Sequence, residues 1–410
     1  MAETAETETY FRRGLGLKKE VQPVLDAEYH SAVVAQIKAA EGHTATYGDI
    51  TVKLAEEFGF CYGVDRAVDY AYQAAMKFPD KKKYLVGEII HNPHVNQRLR
   101  DMGIEFIYPD DDGKFDFSHV TSDDVVILPA FGVTLHDFET LKQIGCVLID
   151  TTCGSVLNVW KRVDQYAKDG FTAIIHGKYK HEETRATASQ VNKHGGHYVI
   201  VRNMDEARLL MDYIEQNDRA LSRAALLEHF GEKASPDFDP DEHLARVGAA
   251  NQTTMLSTES LAIAEAVGAS IAKRYGDDLK DEHFRSFDTI CSATQERQDA
   301  VKELMKEPPD IMMVIGGYNS SNTNHLAHLC REYTTTYHIS DATCIDPEAG
   351  TIRHKPVLDA DAAEDEVAGW LPDGVVTIGF TAGASTPNNK IGQTLERILA
   401  TRGLDVPELE

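Results

Sequence analysis

The sequence predicts an α/β protein built from three related modules, each a parallel β-sheet covered by helices on both faces. One observation is a four-residue motif that occurs twice, as Asp150-Thr151-Thr152-Cys153 and as Asp288-Thr289-Ile290-Cys291, each time before a helix-like stretch. A third cysteine, Cys61, follows an apolar run in the same way. In each case a polar helix, an apolar strand and a polar loop come next, and the loop begins 27, 23 and 25 residues after Cys61, Cys153 and Cys291. Three similar spacings indicate three copies of one module, related by a pseudo-threefold axis, each with one thiol.

The elements of each module follow in the same order along the chain. The apolar strands after the cysteines are expected at 84–86, 172–175 and 311–315, and each leads into a loop rich in His, Asn, Ser, Thr or Glu. Functional loops of parallel sheets lie beyond the carboxyl ends of the strands, so these loops are where we expect chemistry. The predicted division is 1–50, an N-terminal extension; 51–150, module 1 with Cys61; 151–286, module 2 with Cys153 and a polar insertion at about 212–244; and 287–410, module 3 with Cys291.

Composition narrows the class of protein. The 410 residues are 42% hydrophobic and 26% charged, which is typical of a soluble globular protein. A net charge of −25 argues against a nucleic-acid or anionic-membrane partner, because phosphate binding needs clustered Lys and Arg. No apolar run approaches the ~20 residues that span a bilayer, and the acidic residues 1–6 do not resemble a targeting peptide. The sequence therefore predicts a cytoplasmic protein.

The N-terminal extension has two features of its own. Residues 21–42 have the pattern of an amphipathic helix, and Arg12, Arg13, Lys18 and Lys19 form a basic cluster in an acidic chain. The simplest interpretation is a solvated arm.

The three repeated cysteines predict a metal centre. Soft thiolates select zinc, cuprous copper or an iron–sulfur cluster. Cysteines so far apart lack the short pairs typical of zinc fingers, so a cubane with three thiolates and one open iron fits better. Cys61 is expected at a helix N-terminus, where backbone N–H groups favour a thiolate. The other cysteines, Cys146, Cys330 and Cys344, are expected to be buried and inert.

The polar loops predict a phosphorylated ligand. Neutral donors and helix N-termini bind phosphate through several hydrogen bonds, and Ser320-Ser321-Asn322 precedes a predicted helix. The same residues also suit a simple N-cap, and that alternative stays open. Glu183, expected in a loop, is the candidate general acid with Thr253 as a relay, although a lone Glu is usually solvated. His91 and His181 are either ligand-binding or structural.

Several ordered motifs then resemble one family, 4-hydroxy-3-methylbut-2-enyl diphosphate reductase, over about residues 50–400. They are Phe60-Cys61-Tyr62-Gly63-Val64, Ile90-His91-Asn92-Pro93, Asp150-Thr151-Thr152-Cys153, 176–184, Asn251-Gln252-Thr253-Thr254, Cys291-Ser292-Ala293-Thr294-Gln295-Glu296-Arg297, Asn319-Ser320-Ser321-Asn322 and Gly383-Ala384-Ser385-Thr386-Pro387. The resemblance implies three α/β modules around one [4Fe–4S] cluster. It also implies a two-electron, two-proton removal of an allylic hydroxyl that forms isopentenyl and dimethylallyl diphosphate, the last step of the non-mevalonate isoprenoid pathway.

The resemblance further implies roles for individual residues. The cluster ligands match Cys61, Cys153 and Cys291, the proton donor matches Glu183, and Thr253 is the neighbouring hydroxyl. The positions expected to contact the diphosphate substrate are His91, His181, Thr253, Thr254, Ser320, Ser321, Asn322 and Ser385. A ferredoxin or flavodoxin-type protein is the expected electron donor. The basic cluster of the N-terminal extension is a candidate docking surface for it, with Lys178 and Lys180 as the competing candidates.

Two departures from the family pattern concern the site. Many bacterial members have a diphosphate-contacting His where this chain has Phe131, which cannot donate a hydrogen bond. This Phe and the N-terminal extension resemble the plant and cyanobacterial branch. Gly154 follows Cys153 where Pro is common, and we expect only a local backbone difference.

The rival interpretations are a zinc hydrolase with three thiolates, and a non-catalytic protein that uses a metal as a structural staple.

Overall fold

A computed structural model describes residues 9–215, 222–287, 289–356 and 363–406. Its strands are β1 (Tyr10–Phe11), β2 (Thr44–Tyr47), β3 (Ile50–Leu54), β4 (Lys83–Val86), β5 (Ile104–Ile107), β6 (Val125–Leu128), β7 (Val147–Asp150), β8 (Thr172–His176), β9 (Tyr198–Val201), β10 (Val247–Asn251), β11 (Phe284–Ser286), β12 (Ile311–Ile315), β13 (Thr335–Ile339), β14 (Ile345–Asp346), β15 (Thr351–His354), β16 (Asp365–Ala368) and β17 (Val376–Ala382).

The α-helices alternate with these strands, as the sequence pattern predicts. They are α1 (Lys18–Tyr29), α2 (Ala32–Ala39), α3 (Tyr62–Lys77), α4 (Pro93–Asp101), α5 (Leu135–Ile144), α6 (Gly154–Lys168), α7 (Glu182–Asn192), α8 (Met204–Glu215), α9 (Arg223–Phe230), α10 (Pro240–His243), α11 (Ser257–Tyr275), α12 (Lys280–His283), α13 (Ser292–Leu304), α14 (Ser321–Arg331) and α15 (Asn388–Thr401). None of the described helices is both long and apolar enough to cross a membrane.

The chain divides into two units. Unit 1 contains the residues up to Arg13, Phe78–Ile89 and Gly103–Cys291. It holds two sheets whose strands all run parallel, in the orders β1-β7-β6-β4-β5 and β11-β10-β8-β9. Every residue of β4, β6, β7, β8 and β10 is buried, which explains why these strands are apolar runs rather than alternating sequences.

Unit 2 contains Gly14–Lys77, Ile90–Met102 and the residues from Ser292 onward. Its main sheet has the order β13-β12-β17-β3-β2, in which only the β2–β3 pair is antiparallel. A small antiparallel sheet, β14-β15-β16, follows β13 in the chain.

The α/β class with parallel sheets is confirmed, but the sheets do not follow the continuous ranges predicted from the sequence. β3 opens the predicted module 1, yet it pairs with β17 from the far end of the chain, with Ile50 opposite Val376. The reason is that a buried parallel strand needs a partner on both sides, and local sequence does not say which partner it takes. The threefold relation of the modules stays a prediction.

The interpretation of the N-terminal extension as a solvated arm is wrong for its described part. Tyr10–Phe11 is a strand of a sheet, and Val21, Val34 and Ile37 are buried. The predicted helix over 21–42 is two helices, because Ser31 is extended and its side chain accepts a hydrogen bond from the Val34 N–H, which starts α2 anew.

The polar insertion at 212–244 is also not a surface element in its described part. Leu226, Phe230, Phe238 and Leu244 are buried in one apolar cluster with residues of β9 and α11. Charged residues between these positions hide the apolar pattern in the sequence. Residues 216–221 of this insertion, Asp288 of the repeated phrase and residues 1–6 lie outside the described residues.

Candidate functional site

Each of the three repeated cysteines stands directly before a helix. The Cys61 carbonyl accepts the first helical hydrogen bond of α3 from Asp65 N–H at 2.9 Å, and Cys153 is the N-cap residue of α6. Cys291 precedes α13 directly. All three cysteines are half-buried, and because each directly precedes a helix, it lies at the positive end of that helix dipole, as the sequence predicts.

Cys153 and Cys291 share a neighbour within unit 1. The Ser155 hydroxyl donates a hydrogen bond to the Cys291 sulfur at 3.3 Å. Burial raises the pKa of the Cys153 thiol, while hydrogen bonds from Ser155 and from the Val156 backbone oppose that shift. The nearby Cys291 sulfur raises the pKa of Cys153 further. Two half-buried thiols with backbone and hydroxyl donors directed at them fit a soft metal centre, which would stabilise the thiolate form.

The remaining cysteines have a different setting. Cys146, Cys330 and Cys344 are buried, as predicted. Burial raises the pKa of Cys146 to about 11 and raises that of Cys330 well above its usual range. Buried thiols of this kind stay protonated and are poor metal ligands.

Glu183 is buried and held by backbone. It lies in the first turn of α7, not in the loop that the sequence suggested, and only 1% of its surface is exposed. One carboxylate oxygen, Oε1, accepts a hydrogen bond from the Thr253 N–H at 2.5 Å. His181 is the N-cap residue of the same helix, and its Nδ1 accepts from the Glu183 N–H at 3.2 Å. A carboxyl group fixed in this way is not a solvated surface side chain.

Gln252 links the loop before α7, the first turn of α7 and the segment after β10, a role that was not predicted from the sequence. Its Oε1 accepts hydrogen bonds from the Thr184 hydroxyl at 3.0 Å and from the Lys178 N–H at 3.1 Å, and its Nε2 donates to the Thr254 hydroxyl at 2.8 Å. Gly177 makes this approach possible, since a Cβ there would lie 2.9 Å from the Thr184 hydroxyl. The feature of the sequence that could have indicated this role is the position of Gln252 between the end of a strand and two threonines. We call Glu183, Thr184, Gln252 and Thr253 the Glu183 network.

Phe131 packs against His181, a residue of the same unit that is predicted to bind the diphosphate. The rings of Phe131 and His181 meet edge to face with their centroids 5.6 Å apart. An aromatic contact of this kind orients the imidazole without a hydrogen bond. The residue that departs from the family pattern thus supports His181.

In unit 2, His91 and Ser385 are tied together. The Ser385 hydroxyl donates to the His91 carbonyl at 3.2 Å, and the Asn92 side chain donates to the Ser385 carbonyl at 2.8 Å. The amide of Asn319 lies 3.3 Å from His91 Nδ1. The Cys61 N–H donates to the carbonyl of Ala384, the neighbour of Ser385, at 3.2 Å. Four of the predicted motifs are therefore brought together in this unit.

The turn Ser320–Thr323, which we call the Asn322 turn, agrees with both interpretations of its sequence. Ser320 is an N-cap, because its hydroxyl accepts a hydrogen bond from the Thr323 N–H at 3.3 Å. Asn322 is only 2% exposed, and neither its amide oxygen nor its nitrogen has a hydrogen-bond partner among the described residues. Buried polar groups are nearly always paired, so an unpaired carboxamide points to a ligand that completes it.

Known proteins give an independent view of the chain. The family model described as LytB protein matches residues 52–399. A 4-hydroxy-3-methylbut-2-enyl diphosphate reductase of Thermosynechococcus vestitus is 48% identical over 399 residues, covering 97% of this chain and 96% of the relative. The enzyme of the same name from Gloeobacter violaceus is 46% identical over 403 residues, covering 97% and 94%.

Solved structures agree with these sequence relatives. One described as (E)-4-hydroxy-3-methyl-but-2-enyl diphosphate reductase, the terminal enzyme of the non-mevalonate pathway, is 29% identical with a TM-score of 0.52, and the match covers 85% of this chain and 98% of that one. The reductase of Plasmodium falciparum is 22% identical with a TM-score of 0.60, over 84% and 86% of the two chains, and it supports the fold alone.

Proposed function

The chain belongs to the LytB protein family, and from that premise we propose that it reduces 4-hydroxy-3-methylbut-2-enyl diphosphate, the last step of the non-mevalonate isoprenoid pathway. The reaction takes two electrons and two protons, breaks the allylic C–O bond and releases the hydroxyl as water. The products are isopentenyl and dimethylallyl diphosphate. The observation that carries the proposal is the placement of three half-buried cysteines, each directly before a helix.

The thiols of Cys61, Cys153 and Cys291 are the proposed ligands of one [4Fe–4S] cluster. Their softness suits iron and sulfide, and the helix N-termini favour the thiolate form that binds metal. When bound, such a cluster supplies electrons and, with three cysteines for four irons, one iron open to substrate. Cys146, Cys330 and Cys344 are buried, and burial raises the pKa of Cys146 and Cys330, so they are poorer candidates.

Glu183 is the proposed proton donor. It is buried, and the Thr253 N–H donates to its Oε1 and so holds the carboxyl group in place. Gln252 keeps Thr254 and the chain around Thr184 in place through its three hydrogen bonds. Thr253 is positioned by the same strand end to relay the proton.

The diphosphate is the proposed partner of the polar groups at strand and helix ends. In unit 2 these are His91, Ser320, Ser321, Asn322 and Ser385, of which Asn322 has an unpaired buried amide. In unit 1 the proposed diphosphate contact is His181, and Thr253 and Thr254 are further proposed substrate contacts. Phosphate oxygens accept hydrogen bonds from amides, hydroxyls and helix N-termini, which suits this set of donors.

A ferredoxin or flavodoxin-type protein is the proposed electron donor. Such donors are usually acidic, and this chain carries −25, so docking calls for a local cationic patch. Arg13, Lys18 and Lys19 are exposed, while Arg12 lies 3.9 Å from the Asp150 carboxylate. Removal of the first 20 residues would also remove β1 and the start of α1, so charge reversal is the appropriate test.

Anaerobic purification followed by titration with the allylic diphosphate tests the proposed function. We expect a brown protein with iron and sulfide each near four per chain, and a change in the cluster spectrum when substrate is added. Zinc without iron would instead support the hydrolase alternative. A cluster whose spectrum ignores the substrate would support the structural staple.

A further inference from the structure

Ser155 lies between two of the proposed cluster ligands. It is in the first turn of α6, and its hydroxyl donates to the Cys291 sulfur at 3.3 Å, a contact between residues 136 positions apart in the chain. Its backbone N–H also opposes the burial-induced rise in the pKa of the Cys153 thiol, which places this N–H close to that sulfur. One residue therefore directs polar hydrogens at both sulfurs of unit 1.

The other two cysteines have no such residue at the equivalent position. The second residue after Cys61 is Gly63 and the second after Cys291 is Ala293, and neither has a hydroxyl. Ser155 is also not the capping side chain of its helix, because the N-cap position belongs to Cys153. A general role in starting helices thus does not explain this serine.

We propose that Ser155 is a positioning residue that raises the reduction potential of the cluster by donating the hydrogen bond of its hydroxyl to the Cys291 sulfur. Reduction makes a cluster more negative, and a hydrogen bond to a ligand sulfur stabilises the more negative state. The inference rests on the proposed function, since it needs the cluster to be bound by these cysteines.

The test compares Ser155→Thr with Ser155→Val in anaerobically purified holoenzyme. The two substituents have nearly the same shape, but only Thr keeps a hydroxyl. Redox titration followed by electron paramagnetic resonance gives the midpoint potential of each variant. We expect the Thr variant to match the wild-type potential and the Val variant to shift to a more negative potential, with iron and sulfide near wild-type levels in both.

Two further variants make the outcome decisive. Ser155→Ala adds no bulk and should shift in the same direction as Val, which excludes a clash as the cause. Ser292→Ala removes an exposed hydroxyl next to Cys291 and should leave the potential unchanged.

Three results would overturn the inference. The first is a midpoint potential in the Ser155→Val and Ser155→Ala variants that equals that of the wild type. The second is loss of iron in Val and Ala but not in Thr, which would make the hydroxyl a requirement for cluster retention instead. The third is wild-type protein with zinc and no iron, which overturns the proposed function as well and is thereby distinguished from the other two.

Discussion

The Glu183 network and the Asn322 turn differ in how their buried polar groups are paired. In the Glu183 network the carboxylate accepts from a backbone N–H, and Gln252 makes three hydrogen bonds of its own. In the Asn322 turn the helix is capped, yet the Asn322 carboxamide has no partner among the described residues.

The difference agrees with the two separate roles proposed for these residues, proton transfer for Glu183 and ligand binding for Asn322. A group that transfers a proton must be oriented before the substrate arrives, because reorganisation during the reaction raises the barrier. A binding group can remain unpaired, at a cost in folding stability that is recovered when the ligand arrives. Mutation of Glu183 should therefore act mainly on turnover, whereas mutation of Asn322 should act mainly on KM and should raise the stability of the substrate-free protein.

The largest effect should come from the three cysteines that are proposed as cluster ligands. Serine in place of Cys61, Cys153 or Cys291 should deplete iron and abolish turnover, because serine lacks the soft thiolate. The matched control is Cys330→Ala, at a buried cysteine whose thiol has a raised pKa. Iron analysis of the four variants checks this, and a Cys330 variant without iron would show that the wrong ligands were chosen.

Glu183→Gln should lower turnover by roughly 10²–10⁴-fold with little change in KM, since general acids contribute about that much. The amide oxygen can still accept from the Thr253 N–H, so the fold and the cluster should persist. Steady-state kinetics measures this, with Glu182→Gln as the neighbouring control. If the Glu183→Gln variant kept most of its turnover, the proton would have to come from elsewhere, such as the substrate diphosphate.

Asn322→Leu should raise KM by roughly 10–100-fold, the value of a hydrogen bond to a charged group. The substrate-free protein should become more stable, by about 1 kcal/mol, because an unpaired buried amide is removed. Thermal unfolding and kinetics test both effects. The control is Asn251→Leu in unit 1, where the amide donates to the Gln252 carbonyl at 3.0 Å, and there stability should fall.

The pH dependence of stability should be common to both units. Burial lowers the pKa of His176 in unit 1 and of His338 in unit 2 to about 4 each. These pKa values lie below the value of about 6.5 that a histidine has in the unfolded chain. Each buried, neutral histidine therefore makes its full contribution to stability above pH 6.5, and that contribution is lost as the pH falls toward 4. The loss is on the order of 3 kcal/mol for each histidine.

Urea unfolding between pH 7.5 and pH 4.5 measures this slope. His176 Nε2 faces the Arg202 carbonyl at 3.2 Å, so it carries the proton of the neutral ring, and Nδ1 accepts from the Ser260 hydroxyl at 2.8 Å. A His176→Asn variant should have a shallower fall of stability with acid. An unchanged slope would contradict the assignment.

The smallest expected effect concerns the cationic residues proposed to dock the electron donor, which are Lys18 and Lys19 in unit 2 and Lys180 in unit 1. Reversal of Lys18 and Lys19 to Glu should slow ferredoxin-driven turnover a few-fold, more at low salt than at high salt, because screening weakens steering. Turnover with a small chemical reductant should not change. Lys180→Glu in unit 1 is the comparison, and a greater loss there would move the docking surface to that unit.

The parts of this protein that were predictable are those with local signals. A polar stretch after an apolar run identifies a helix that follows a strand, so the class and the place of Cys61, Cys153 and Cys291 at helix starts followed from the sequence. Serine favours the N-cap position of a helix, so Ser320 correctly predicted where α14 begins.

The rest depends on contacts between distant residues. The hydrogen bonds of Gln252 to Thr184 and Lys178 join positions about 70 residues apart, and no local pattern contains them. Glu183 was placed in a loop because the first turn of α7 is as polar as a loop. The buried Leu226 and Phe230 were missed because charged neighbours dilute the apolar pattern.

The pairing of β3 with β17 has a consequence for the synthesis of this protein. The ribosome releases β3 early, but its partner begins at Val376, roughly 320 residues later. At about 5–20 residues per second, the strand waits on the order of 15–65 s with its buried face uncovered. The longest segment of unit 1, Gly103–Cys291, is complete well before then. We therefore expect unit 1 to fold first on the ribosome, and unit 2 to depend on chaperones until translation ends.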